Sequence, residues 1–239
     1  MKAVGVIGYK GSGKTSLVVS LSQELKKRGY RVATVKHIHG GIDLPEANTA
    51  KHGGYTDQVA AISERESAVF FKRKKSLEDI MAYLEADFVL VEGFKTERTY
   101  PKVVCLREKD EPKDLFDGLQ ILVAMLSPKK TMPGVPVFRI AQDVKRMTDI
   151  IEKIAFKLPN LNCGACGYET CYELAKKIVK GDKTDRHCPP LNPGTEVRLG
   201  GRTLPMNPFV DRIVHSTIKG LLSSLKGFRK GKIEIEIEE

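Results

Sequence analysis

Two groups of residues in this chain have the types and spacing to do chemistry. The first is GYKGSGKT, from Gly8 to Thr15, which matches G-x-x-x-x-G-K-[ST]. Gly8, Gly11 and Gly13 let the backbone turn tightly and aim its N–H groups inward, with Ser12 and Ser16 beside them. Those amides and the start of the next helix attract phosphate oxygens. Lys14 is then the residue to reach β- and γ-phosphates, and the Thr15 hydroxyl the one to meet Mg²⁺. The second group is cysteine. Cys163, Cys166, Cys171 and Cys188 follow the spacing C-x2-C-x4-C-x16-C. Thiolates hold both zinc and iron–sulfur clusters. Zinc usually draws two separated pairs, whereas here three ligands share one loop and the fourth precedes Pro189-Pro190. That three-plus-one layout suits a [4Fe-4S] cubane better, with a structural zinc clip as the alternative. Gly164 and Gly167 allow the backbone to wrap closely.

A phosphate cradle needs an acidic partner at the end of a buried strand. FVLVEGF supplies Glu92, with Asp87 before the strand. Glu92 is the candidate for the Mg²⁺ shell or for positioning an attacking water; a plain strand-end carboxylate is the bland alternative. KHIH, from Lys36 to His39, ends another strand, with Asp43 nearby as a further catalytic candidate. His37 and His39 lie two apart and share a strand face. Anion contact or a switch role is the reading preferred over packing.

These residues need elements to place them. AVGVI (3–7) is a strand leading into the glycines. Leu17, Val18, Leu21 and Leu25 recur at helical spacing from Thr15 to Arg28, and Gly29 ends that helix. YRVATVKH, FVLVE (88–92), KVVCLR, LQILVAM and VPVFR read as strands, LEDIMAYLEA and DVKRMTDIIEKIAFKL as helices. The expected fold class is α/β, a P-loop NTPase-type mostly parallel sheet with helices on both faces. A small C-terminal Fe-S and α+β module follows. Composition changes at Pro159, which sets expected divisions at 1–157, 158–193 and 194–239. In the last of these, EVRLGGRTLP predicts a hairpin turning at Gly200-Gly201. NPFVDRIVHSTIKGLLSSLKG predicts an amphipathic helix, and KIEIEIEE a half-buried strand.

The 239 residues carry a net charge of +10 and are 41% hydrophobic. Polyphosphates, anionic cofactors or acidic partners could use that charge. The dense basic run Lys72–Lys75 reads as a solvated loop, and no stacking aromatics point to nucleic acid. No apolar run reaches a membrane span. The opening residues do not form a signal peptide, because their apolar run is too short. Clustered cysteines then fit metal binding in a reducing, cytoplasmic setting. Cys105, in PKVVCLR, reads as a small buried hydrophobe.

GYKGSGKT, VKHIH, FVLVEGFK and PKVVCLR, in that order, resemble molybdopterin-guanine dinucleotide biosynthesis protein B over roughly residues 1–157. The resemblance implies a homodimeric P-loop protein that binds GTP and hydrolyses it weakly. It also implies partners: the molybdopterin guanylyltransferase, molybdopterin itself, and molybdenum or tungsten enzymes that receive the cofactor. It puts the nucleotide on Gly11 to Ser16 and matches Lys36, His37 and His39 to KHxH. Glu92, Gly93 and Lys95 match EGFK, with Lys95 a substrate or switch residue. The stretch DLPEANTAKHGGY departs from the family pattern, with Asn48 where Asp is usual and Gly53-Gly54 replacing part of an AGA signature. The departure bears on the switch, the hydrolysis rate and the pterin contact. No Asn-Lys-x-Asp guanine-reading motif is present, so guanine over adenine rests on the resemblance. The cysteine segment resembles the small four-cysteine domain of corrinoid iron–sulfur proteins and of the Rnf electron-transport complex. A nucleotide-gated electron-transfer or cluster-carrier ATPase and a metallochaperone GTPase are the rival functions.

Overall fold

The structure is a computed structural model describing residues 1–38, 40–42, 51, 55–110, 113–128, 131–229 and 231–236. His39 and Asp43, two of the candidate site residues, lie outside the described residues. The chain divides into two compact units, Met1–Lys157 and Leu158–Glu239.

The first unit is built on six strands: β1 (Lys2–Gly8), β2 (Val32–Lys36), β5 (Phe88–Glu92), β6 (Lys102–Leu106), β7 (Gln120–Met125) and β8 (Val137–Arg139). They pair in the order β2-β5-β1-β6-β7-β8, all parallel. Every residue of β5 and β6 is buried, as expected of strands covered on both faces. Helix α1 (Lys14–Lys27) follows the glycine loop and buries Leu17, Val18, Leu21 and Leu25. Gly29, at φ 89°, ends it in the left-handed conformation. Arg28 ties α1 to helix α3 (Val144–Ile154), reaching Asp149 at 2.7 Å and the Glu152 carboxylate as well. Helix α2 (Leu77–Met81) packs Leu77 and Met81 on Ala3, Val89, Val91 and Tyr100.

Both predicted helices are shorter than their periodicity suggests. α2 starts on a capping box between Ser76 and Asp79 but stops at Met81. Asp87 accepts the Arg31 amide at 2.8 Å, which fixes where the chain must enter β5. α3 stops at Ile154, and Ala155 is extended at ψ 133°. The sequence reading missed a separate hairpin, β3 (Gln58–Ile62) with β4 (Ser67–Phe71). Its signal was the apolar-rich run on each side of Ser63–Glu66, where the Ser63 hydroxyl accepts two turn amides. The basic run after it is a loop, exposed at Lys72, Arg73 and Lys74.

The second unit holds helix α4 (Cys171–Val179), two short 3₁₀ turns (Asp185–His187 and Pro189–Leu191), a hairpin of β9 (Arg198–Leu199) and β10 (Arg202–Thr203), and helix α5 (Pro208–Ser223). The hairpin turns on Gly200 and Gly201, both left-handed at φ 54° and 75°. Asn207 caps α5, its side-chain oxygen accepting the Phe209 and Val210 amides at 3.0 Å each. No residue of α5 is buried. The expected terminal strand in KIEIEIEE is not found at residues 232–236, where Ile233 and Ile235 are exposed. Alternation gives a strand its faces, but a strand also needs a ladder partner, and none pairs with it among the described residues. Among those residues, no helix is long and apolar enough to cross a membrane.

Candidate functional site

The glycine loop sits where β1 meets α1, in the form a phosphate cradle requires. Gly11 and Gly13 are left-handed at φ 74° and 86°. A side chain at Gly8 would press within 2.3 Å of the Cys105 carbonyl, so β1 must end on a residue without Cβ to lie against β6. Inside the loop, the Tyr9 carbonyl accepts the Ser12 hydroxyl at 2.9 Å and the Lys14 ammonium at 2.7 Å. Ser12 is buried.

Glu92 comes to this loop from the neighbouring strand. β1 and β5 pair with Val6 opposite Glu92, which carries the end of β5 alongside the start of the cradle. The Thr15 hydroxyl donates to Glu92 Oε1 at 2.8 Å. Glu92 is buried, and the Lys36 ammonium stands 3.5 Å from the same oxygen. A hydroxyl and a carboxylate oxygen side by side are hard donors of the kind Mg²⁺ selects. The donor set therefore fits the ion that accompanies a triphosphate.

The loop after Glu92 bends sharply. Gly93 is left-handed at φ 92° and Phe94 at φ 50°, the second a conformation that costs a side-chain-bearing residue about 1–2 kcal/mol. A Cβ at Gly93 would meet His37 Cβ at 2.9 Å. The His37 amide donates to the Glu92 carbonyl at 2.9 Å, and its ring lies 4.8 Å from that of Phe94. Lys95 places its ammonium 4.7 Å from the centroid of the Tyr9 ring. Lys14, Lys36, Lys95 and Thr15 thus gather with Glu92 around the loop, and His37 flanks them. Lys102, whose ammonium donates to the Lys95 carbonyl at 2.8 Å and to Asp117, stands behind this bend. Sequence alone assigns Tyr9, Phe94, Lys102 and Asp117 no role of their own. Tyr9 fills a variable place in the motif, and Lys102 enters only as part of the PKVVCLR stretch. Cys105, beneath the loop, is fully buried, which pushes its thiol up to about 12.

The cysteine site is built differently. Thr170 caps α4 in a capping box with Glu173, and the Cys171 amide donates to the Asn162 side chain at 2.8 Å. Asn162, Gly164 and Gly167 are left-handed at φ 45°, 69° and 83°, folding the loop that carries Cys163 and Cys166 back toward the helix. Cys171 and Cys188 are buried, Cys166 is half-buried and Cys163 exposed. Burial pushes the Cys188 thiol up to about 11, with Cys171, Cys166 and Cys163 adding in the same direction. Among the described residues, no three His, Cys, Asp or Glu side chains form a group that could hold a metal ion. A donor set of four thiols suits a cluster or zinc.

A family model described as "Molybdopterin guanine dinucleotide synthesis protein B" matches residues 3–128. The chain belongs to this family. A second model, described as "Putative Fe-S cluster", matches residues 158–190 of this family member and spans all four cysteines. A protein of Methanocaldococcus jannaschii named "Putative molybdopterin-guanine dinucleotide biosynthesis adapter protein" is 33% identical over 100% of this chain and 98% of its own length. The Bacillus subtilis "Probable molybdopterin-guanine dinucleotide biosynthesis adapter protein" is 31% identical, over 56% of this chain and 83% of that protein. Among solved structures, a MobB protein homolog from Bacillus stearothermophilus is similar at TM-score 0.51 and 29% identity, covering 64% of this chain and 99% of its own. Bacillus subtilis MobB is similar at TM-score 0.55 and 25% identity, covering 64% and 97%.

Proposed function

We propose that this family member is a GTP-binding adapter in the biosynthesis of molybdopterin-guanine dinucleotide, acting as a homodimer with the guanylyltransferase or in delivering the finished cofactor. The observation that carries the reading is the 2.8 Å contact between Thr15 and Glu92, which joins the phosphate loop to the acidic strand end in a chain whose full-length relative is named an adapter. The loop amides and Lys14 bind the triphosphate, and Thr15 with Glu92 would hold Mg²⁺. The ion supplies neutralisation of phosphate charge. Lys36, His37 and Lys95, which stand around the loop, would be the residues to register the presence of the terminal phosphate. Any hydrolysis is slow, with Glu92 orienting water. His39 is assigned, on the resemblance, to the switch, and Asp43 remains a catalytic candidate.

Cys163, Cys166, Cys171 and Cys188 would hold a [4Fe-4S] cluster in a segment of its own, 158–193, followed by an α+β extension, 194–239. The cluster supplies a redox-active or docking centre; the thiols and the glycine turns supply its seat. The family model over residues 158–190 supports iron–sulfur rather than zinc. The test is reconstitution: guanylyltransferase, molybdopterin, molybdate and GTP, with and without this chain. Faster formation of the dinucleotide cofactor with wild-type protein, and no gain with Lys14→Met, is the expected result. Equal rates with and without the chain would refute the adapter role.

A further inference from the structure

Lys102 is the most unexpected residue in the first unit. It opens β6 with a side chain that is 0% exposed. Its ammonium makes two bonds: to Asp117 Oδ2 at 2.5 Å and to the Lys95 carbonyl at 2.8 Å. Burial pulls the ammonium's pKa down, and Asp117 opposes that pull. Burying a lysine against a half-buried aspartate is a poor way to stabilise a fold, because desolvation of the ammonium offsets much of the attraction and an apolar residue of similar shape would avoid that cost. What an apolar residue cannot do is hold the Lys95 carbonyl.

That carbonyl belongs to the bend that follows Glu92. One end of the bend is pinned by the Gly93 amide donating to the Val6 carbonyl at 3.0 Å. Between the pins the chain passes through left-handed Phe94, a strained conformation that persists only where its surroundings fix it. Lys102 fixes the other end. The Lys95 side chain, exposed itself, then lies over the Tyr9 ring, and the Tyr9 carbonyl is the acceptor for both Ser12 and Lys14. A continuous path of contacts thus runs Asp117–Lys102–Lys95–Tyr9–Lys14.

We infer that Lys102 and Asp117 are positioning residues of the nucleotide site: a buried strut that holds the bend after Glu92 so that the Lys95 ammonium is presented to the terminal phosphate of a nucleoside triphosphate. The inference rests on the nucleotide-binding reading of this unit. Lys95 leaves the Tyr9 ring for the γ-phosphate, while its backbone stays on Lys102. Nucleoside diphosphate offers no such partner, so the strut governs the preference for triphosphate over diphosphate.

The experiment is fluorescence titration of the full chain, in Mg²⁺, with N-methylanthraniloyl GTP and GDP, together with thermal melting. Lys95→Met is expected to lower the GTP-over-GDP preference about tenfold, the low end for a charge-assisted contact. Lys102→Met and Asp117→Asn are expected to lower it similarly and to lower the melting temperature as well, since each leaves a group of the pair without its partner. Lys95→Met/Lys102→Met is expected to lose no more than either single variant, since both act through one ammonium. A preference unchanged in Lys95→Met overturns the inference, because Lys102 then has nothing to position; that variant is at the surface and decides the matter even if Lys102→Met fails to fold. Losses that add in the double variant also overturn it. A wild-type chain that binds neither nucleotide removes the underlying reading too, whereas a neutral Lys95→Met removes the inference alone.

Discussion

The two candidate sites are held in opposite ways. In the first unit the nucleotide site is assembled from contacts the fold makes for its own reasons. Parallel pairing of β1 with β5 brings Glu92 to Thr15, and the left-handed glycines shape the loop. In the second unit the caps and turns shape the segment that carries the four cysteines, yet among the described residues no three donors close on a metal position. The difference is one of materials. Backbone amides are neutral and are spaced by the chain itself, so a cradle made of them can be preformed. Four thiolates repel one another and need the inorganic core to draw them in, so for such a site metal binding and local folding are one event.

The comparison can be broken by disturbing each side separately. The largest effect belongs to Lys14→Met, which removes the charged partner of the phosphates: GTP affinity should fall about 10- to 100-fold, measured by calorimetric titration, with iron content unchanged. A fall in iron as well would mean the two sites are not independent. Cys171→Ala should act in mirror image. Iron and sulfide in anaerobically purified protein should drop to a small fraction of wild type, and the broad absorption near ~400 nm should vanish, while the GTP affinity stays within about twofold.

Gly8→Ala sharpens the claim of preformation. Its Cβ would lie 2.3 Å from a backbone oxygen of β6, a clash that only backbone movement relieves, so denaturant unfolding should show a loss of about 1–3 kcal/mol together with weakened nucleotide binding. The smallest effect concerns Cys105. Its thiol is raised from 9.0 to about 12 by burial, so the native state keeps its proton where the unfolded chain loses it. The stability this gives is full below pH 9 and is lost as pH rises toward 12, by at most about 1.4 kcal/mol per pH unit. Wild-type and Cys105→Ala unfolding free energies, compared between pH 8 and 11, should therefore converge or cross as the wild type alone carries this loss. Parallel pH curves would show that Cys105 is not held neutral.

How much of this was legible in the sequence follows the same division. GYKGSGKT and FVLVE could be read because the residues that make the site are the residues that make the strand, the turn and the helix. Thr15 with Glu92 was foreseeable for that reason. Lys102 with Asp117 was not: burial of a lysine depends on what β7 and the bend after Glu92 bring to it, and no local spacing encodes that. The cysteine spacing was plain, but KIEIEIEE misled, because alternation describes a strand's faces and says nothing of whether a neighbour exists to pair with it. α5 was read correctly as a helix with an apolar side, but that side stays open, with Phe209 and Leu221 66% and 68% exposed. Helical periodicity signals a face suited to burial without specifying what covers it.

The central proposal is that the first unit is a Mg²⁺-assisted GTP site. Its most direct test is calorimetric titration of the anaerobically purified full chain with GTP and with ATP, each with Mg²⁺ and with EDTA. The account predicts one saturable GTP site per chain, weakened by EDTA and weaker for ATP. Absence of saturable binding by either nucleotide would contradict it.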